Sequence, residues 1–245
     1  MKEERFDLPS GRYPIKCKRF SPDGPSSGVV LGVHGFAGDK ESSMLSLLAS
    51  RCAEKGVSLL CFDFPSHGES EAGSENLTVA NCMDDLRTAA DRCRSDYPGG
   101  KKYLFATSFG GYIALLCARD LADFQFVLRA PAVSMPDILL CLLGTTPKKF
   151  REAGSAVCGF SRKITVPYRF YEELQRNRLS AAVPDYPMLI VHGDRDDVVP
   201  FEDVSAFCSS RKNAVLVPFP GTDHHYKREG EKERVARIAL DRWGL

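Results

Sequence analysis

The sequence predicts an α/β protein: a mostly parallel, twisted sheet with helices on both faces and one helical cap insertion. Three observations predict it. Short apolar runs beginning at residues 28, 57, 103, 124, 188 and 214 alternate with stretches of helical periodicity. Several of these runs end directly in loops bearing His, Ser or Asp, which is where an open parallel sheet gathers its functional groups. Residues 133–183 then break the rhythm and resume it at residue 184, as an insertion between two core strands would.

The elements follow in chain order. Residues 5–27 alternate weakly and pass into Ser21-Pro-Asp-Gly-Pro-Ser-Ser, a short edge hairpin and a turn-rich loop. Gly28-Val-Val-Leu-Gly-Val33 is the first buried strand and leads into His34-Gly-Phe-Ala-Gly-Asp39. Met44, Leu47, Leu48 and Cys52 share one face of a helix over 41–55, stopped by Gly56. Val57-Ser-Leu-Leu-Cys-Phe62 is the next strand. Thr78 is positioned to cap a helix that runs to about Tyr97, ahead of Pro98-Gly-Gly. Tyr103-Leu-Phe-Ala-Thr is a strand that turns at Ser108 into a helix with Ile113, Leu116 and Cys117 on one face. Strands at 124–131, 188–191 and 214–219 follow, with a helix over about 201–211 between the last two. The C-terminal helix places Val235, Ile238, Ala239 and Trp243 together, opposite a solvated run of charge.

The chain divides into a core of residues 1–132 and 184–245 and a cap of residues 133–183. The cap is interrupted by Pro136, Gly144, Pro147, Gly154, Gly159 and Pro167. It nevertheless carries Leu139, Leu140, Leu142, Phe160, Tyr168, Phe170 and Tyr171, an apolar content that argues for packing rather than disorder.

Composition sets further bounds. Lys plus Arg number 33 against 32 Asp plus Glu, so nothing points to nucleic acid or an anionic membrane as partner. Neither a signal-peptide-like stretch at the N-terminus nor a run of membrane-span length is present. Nine scattered cysteines without a Cys-x-x-Cys pair read as buried thiols of a cytoplasmic protein, Cys61, Cys117 and Cys141 among them. No metal site and no cofactor are expected.

Ala106-Thr-Ser108-Phe-Gly110 joins strand to helix through small residues on either side of a serine. Such a corner strains the backbone, exposes the serine and sets it at a helix N-terminus with free N–H groups. A serine nucleophile needs a base, and the base needs a carboxylate to fix its tautomer. His34, His67 and His192 sit where histidines orient loops. His224 and His225 lie in the last loop, and Asp194, Asp196 and Asp197 follow the penultimate strand.

Together, His34-Gly-Phe-Ala, Ala106-Thr-Ser-Phe-Gly, His192-Gly-Asp-Arg-Asp-Asp-Val-Val-Pro and Gly221-Thr-Asp-His resemble the α/β-hydrolase family, in its chain order of Ser, Asp and His. The resemblance covers almost the whole chain. It implies Ser108 as nucleophile, Asp196 as acid and His224 as base, with His225 as the fallback. It implies the backbone N–H groups of Phe36 and Phe109 as the oxyanion hole. Ala106 departs from the usual glycine but remains small.

His34-Gly-Phe-Ala-Gly-Asp-Lys40, Phe62-Asp-Phe-Pro-Ser-His-Gly-Glu-Ser70 and the cap length resemble small carboxylesterases of the cinnamoyl or feruloyl group. That implies a small-molecule ester substrate with an aromatic or other apolar acyl group. Asp137, Tyr168 and Tyr171 are the cap residues whose polar groups suit a phenolic hydroxyl. The alternatives are a monoacylglycerol-lipase-like esterase, a serine aminopeptidase-like hydrolase, and an idle hydrolase-fold binding protein. The intact Ser, Asp and His argue against the last. A homodimer stays open as a partner.

Overall fold

The computed structural model describes residues 1–159, 163–179 and 183–245. Its centre is an eight-stranded sheet. The strands are β1 (Lys2–Pro9), β2 (Pro14–Ser21), β3 (Gly28–Val33), β4 (Ser58–Phe62), β5 (Lys101–Thr107), β6 (Gln125–Arg129), β9 (Met188–Gly193) and β10 (Ala214–Phe219). They lie in the order β1-β2-β4-β3-β5-β6-β9-β10. From β4 to β10 every pairing is parallel, and β2 joins β4 antiparallel. The order reverses direction between β3 and β5, the switch point at which open α/β sheets form a crevice. The N-terminal hairpin is longer than its weak alternation predicts: β1 and β2 pair from Lys2↔Ser21 to Pro9↔Pro14.

Every residue of β3, β4 and β9 is buried, as two covered faces require. Helices α2 (Val79–Asp96), α3 (Phe109–Leu116) and α7 (Phe201–Ser209) pack on one face. Helices α1 (Ser43–Glu54) and α8 (Glu231–Trp243) pack on the other. Thr78 caps α2 through its hydroxyl, which accepts the Asn81 N–H at 3.0 Å. Trp243, the single tryptophan, lies tilted against Tyr103 at 5.0 Å between centroids and donates its indole N–H to the Gln125 carbonyl.

Residues 133–183 hold α4 (Met135–Leu143), α5 (Pro147–Ala153) and α6 (Tyr168–Arg176). They also hold an antiparallel hairpin that the sequence reading did not anticipate, β7 (Ser155–Cys158) with β8 (Ile164–Pro167). Phe160, counted above among the aromatic residues of this segment, lies outside the described residues. The segment is tied to helices α2 and α3 by polar contacts. The Glu173 carboxylate accepts the Val79 N–H at 2.7 Å, closing the N-terminus of α2 from outside. The Tyr112 hydroxyl donates to the Asn177 carbonyl at 2.8 Å.

All nine cysteines are free thiols. Eight are buried, but Cys141 is exposed, which corrects the expectation for that residue: it falls on the outward side of α4, whose buried residues are Met135, Pro136, Ile138 and Leu139. Among the described residues no helix is long and apolar enough to cross a membrane.

Asp85 is buried on α2 and accepts the Tyr13 hydroxyl at 2.9 Å. Burial lifts its carboxyl to about 7, only partly offset by the Tyr13 hydrogen bond and the Arg12 charge. A carboxyl raised in the folded state stabilises the fold fully below its unfolded value. It loses that contribution as pH climbs through the folded value. Asp85→Asn should therefore melt higher than the native chain at pH 9, the gap should narrow as pH falls from about 7, and the two should converge only below about pH 4. A melting difference that ignores pH would refute this account.

Candidate active site

Ser108 stands between β5 and α3 with φ +51° and ψ −116°, a left-handed conformation that an L-residue adopts only when its surroundings enforce it. Three contacts enforce it. Its N–H donates to the Arg129 carbonyl at 2.9 Å, and its own carbonyl accepts from Ala132 at 3.0 Å and Tyr112 at 3.1 Å. Close approach does the rest: a Cβ on Gly110 would lie 2.4 Å from the His34 carbonyl oxygen, and one on Gly35 would lie 3.2 Å from the Ser108 Cβ.

Asp196 follows β9. Its Oδ1 accepts the N–H groups of Val198 at 2.9 Å and Val199 at 2.7 Å, leaving Oδ2 aimed at the last loop. There His224 Nδ1 lies 2.7 Å from Oδ2, and Nε2 lies 3.2 Å from the Ser108 Oγ. Burial alone would raise the Asp196 carboxyl. The His224 hydrogen bond and the two valine amides instead hold it below the usual carboxylate range. An ionised Asp196 fixes the Nδ1–H tautomer, so Nε2 faces the serine as an acceptor.

It is His224, not His225, whose Nε2 is seen at the Ser108 Oγ. The His225 ring lies edge-on to His224, and its backbone N–H donates to Asp223 at 2.9 Å. The Asp194 carboxylate accepts the Gly221 N–H and ties the last loop to the Asp196 loop, while Asp197 is exposed.

His34 is buried. Its Nδ1 donates to the Gly35 carbonyl at 2.8 Å, and its Nε2 accepts the Phe64 N–H at 3.2 Å. Burial depresses its pKa, so it is a neutral loop strut. His192 acts similarly on the Asp196 loop, with Nε2 3.0 Å from the Val199 carbonyl. Phe109 opens α3, where its amide has no intrahelical acceptor. Among the described residues the Phe36 amide has no backbone acceptor either.

Around these groups the rings converge. Phe36 lies 5.5 Å from Phe109 and 6.1 Å, stacked, from Phe170 of α6. Phe170 in turn lies 5.9 Å from Phe109. His67 stacks on Phe109 at 6.4 Å. Phe170 appeared in the sequence only as cap content, and nothing there marks its contact with Phe36.

Asp137, Tyr168 and Tyr171 each have a polar partner within residues 133–183. The Asp137 carboxylate forms a two-pronged ion pair with Arg178, at 2.8 and 2.9 Å. The Tyr168 hydroxyl accepts from Arg151 at 3.1 Å, and the Tyr171 hydroxyl accepts from Gln175. Both tyrosines pack against Phe150.

One buried network lay beyond sequence reasoning. Lys40, 1% exposed, sets its ammonium 2.7 Å from Asp63 and 2.7 Å from Glu69. Asp63 also accepts the N–H groups of Lys40 and Glu69, each at 2.8 Å. Burial opposes the lysine's charge, but the two carboxylates outweigh it and raise its pKa. The network clamps the Phe36 loop to the His67 loop. Lys40 was quoted in a motif but carried no signal of burial. Among the described residues no three His, Cys, Asp or Glu side chains group to hold a metal.

Strand order, crossovers and the loops that carry these residues make this an α/β-hydrolase fold, of the α/β serine hydrolase class. Residues 24–155 match the family model described as Hydrolase_4, serine aminopeptidase S33, and the chain belongs to that family. A monoacylglycerol lipase of Mycolicibacterium smegmatis is 22% identical over 247 residues, spanning 88% of each chain. The human mitochondrial palmitoyl-protein thioesterase ABHD10 is 23% identical, over 80% of this chain and 64% of that protein. Est1E from Butyrivibrio proteoclasticus, solved with ferulic acid bound, superposes with a TM-score of 0.83 at 24% identity, over 98% of this chain and 100% of that one. At such identity the superposition speaks for the fold.

Proposed function

We propose that the protein hydrolyses carboxylic esters through a Ser108 acyl-enzyme, with His224 as base and Asp196 as its orienting acid. One observation carries this reading: the unbroken hydrogen-bonded line from Ser108 through His224 to Asp196. His224 takes the serine proton as Oγ attacks the carbonyl. The Phe36 and Phe109 amides receive the oxyanion. His224 then protonates the leaving alcohol and activates the water that releases the acid. Ester cleavage is favoured over peptide cleavage by the apolar rings beside Ser108 and by the lipase and thioesterase names among the relatives. Unpaired thiols at all nine cysteines support a reducing, cytoplasmic setting.

A fluorophosphonate probe should form a stoichiometric adduct on Ser108, mapped by mass spectrometry, and His224→Ala should abolish it. No adduct on the native chain would overturn the reading.

The cluster of Phe36, Phe109 and Phe170, of which Phe36 is the partly exposed ring, supports an aromatic, hydroxycinnamate-like acyl group. A monoacylglycerol is the second reading, favoured by the relative of that name. Methyl ferulate should be cleaved faster than a monoacylglycerol, and equal rates would defeat the aromatic preference.

A further inference from the structure

Arg129 ends β6 on the sheet face that carries Val127, Val191 and Tyr226. It is 9% exposed, and its Nε is buried without a hydrogen-bond partner. Among the described residues no carboxylate pairs with it; its guanidinium instead lies 4.9 Å from the centre of the Tyr226 ring. Tyr226 is 1% exposed, holds φ +53°, and follows His224 by two residues. Burial works against the arginine's charge, and the fields of Tyr226, Asp196 and Asp223 work for it. A buried, unpaired cation costs stability, so packing alone does not explain it; a methionine would fill the space without the penalty.

We propose that Arg129 is a positioning residue for the hydrolytic site: its guanidinium holds Tyr226, and through it the His224 loop, while its charge balances the buried Asp196 carboxylate. The inference rests on the hydrolytic reading above. Two features make the position apt. The Arg129 carbonyl already anchors the Ser108 N–H, so a single residue touches both the serine corner and the histidine loop. Cation–π attraction is also strongest where water is excluded, as it is here.

The test compares Arg129→Met with Arg129→Lys in the full chain, using 4-nitrophenyl butyrate hydrolysis and the rate of Ser108 labelling by a fluorophosphonate. Arg129→Met should melt at or above the native temperature, yet lose at least ~10-fold in kcat and in labelling rate with little change in KM. Arg129→Lys, which keeps the charge, should recover most of the loss. A residue that only supports the fold would instead lower the melting temperature and leave the kcat of the folded fraction intact. Native kcat in Arg129→Met, or a lysine variant no better than the methionine one, overturns the assignment. Should Arg129→Met not fold, Arg129→Gln carries the same comparison; failure of both neutral variants to fold marks Arg129 as structural and also overturns it. If Ser108 of the native chain does not label, the hydrolytic reading fails and this role falls with it. If the native chain labels and Arg129→Met labels equally fast, this role alone fails.

Discussion

Ser108→Ala is expected to lower ester turnover by about 10⁵- to 10⁶-fold while leaving the melting temperature unchanged within a degree or two. The size follows from the chemistry, because without Oγ there is no acyl-enzyme and His224 has no proton to take. The remaining rate should still exceed that of water by roughly 10³-fold, since amide donors and substrate binding survive the substitution. The fold should survive because the strain at this corner is held by backbone contacts to Arg129, Ala132 and Tyr112, none of which involves the hydroxyl. Steady-state kinetics with calorimetry on the same preparation checks both halves. A loss below about 10²-fold would show that another group attacks the ester.

Lys40→Met is expected to have the largest effect on stability, about 3–5 kcal/mol, because it leaves the Asp63 carboxylate buried without its cation. Chemical denaturation read as a midpoint shift at constant slope checks this. Asp63→Asn alone should cost a similar amount. Lys40→Met with Asp63→Asn together should cost much less than the sum, since no unpaired charge remains. Activity should fall with stability, because the network holds the loop that presents the Phe36 amide. If the double variant costs the full sum, the two residues act independently and the clamp is not a pair.

The strands and the corner serine were legible because their signals are local. Gly28–Val33 is apolar throughout and Ser58–Phe62 is apolar after its first residue, and a run buried on both faces needs no partner to be recognised. The order of Ser, Asp and His along the chain was legible for the same reason, being carried by short motifs at strand ends. What escaped depends on contacts distant in sequence. The four-residue strands Ser155–Cys158 and Ile164–Pro167 are too short for alternation to register, and each is defined by the other. Lys40 and Asp63 are 23 residues apart, and a lysine's burial is decided by its partner rather than its type. Cys141 sat in an apolar run whose helix turned that one position outward. Side-chain chemistry singles out Asp137, Tyr168 and Tyr171, and their partners Arg178, Arg151 and Gln175 carry no signal in the sequence.

Trp243 has a practical consequence. It is the only indole in the chain, and it reports from beside Tyr103, five residues upstream of Ser108 on the same strand and so roughly 16 Å from it. Its emission therefore follows the docking of the C-terminal helix on the sheet. Ligand titrations monitored at that wavelength should be flat even when the site fills. Denaturation curves monitored there would miss any loosening of residues 133–183 that left the sheet intact. An indole introduced by Phe170→Trp would supply the missing channel, and two emission curves that separate would resolve melting of residues 133–183 from melting of the sheet in one sample.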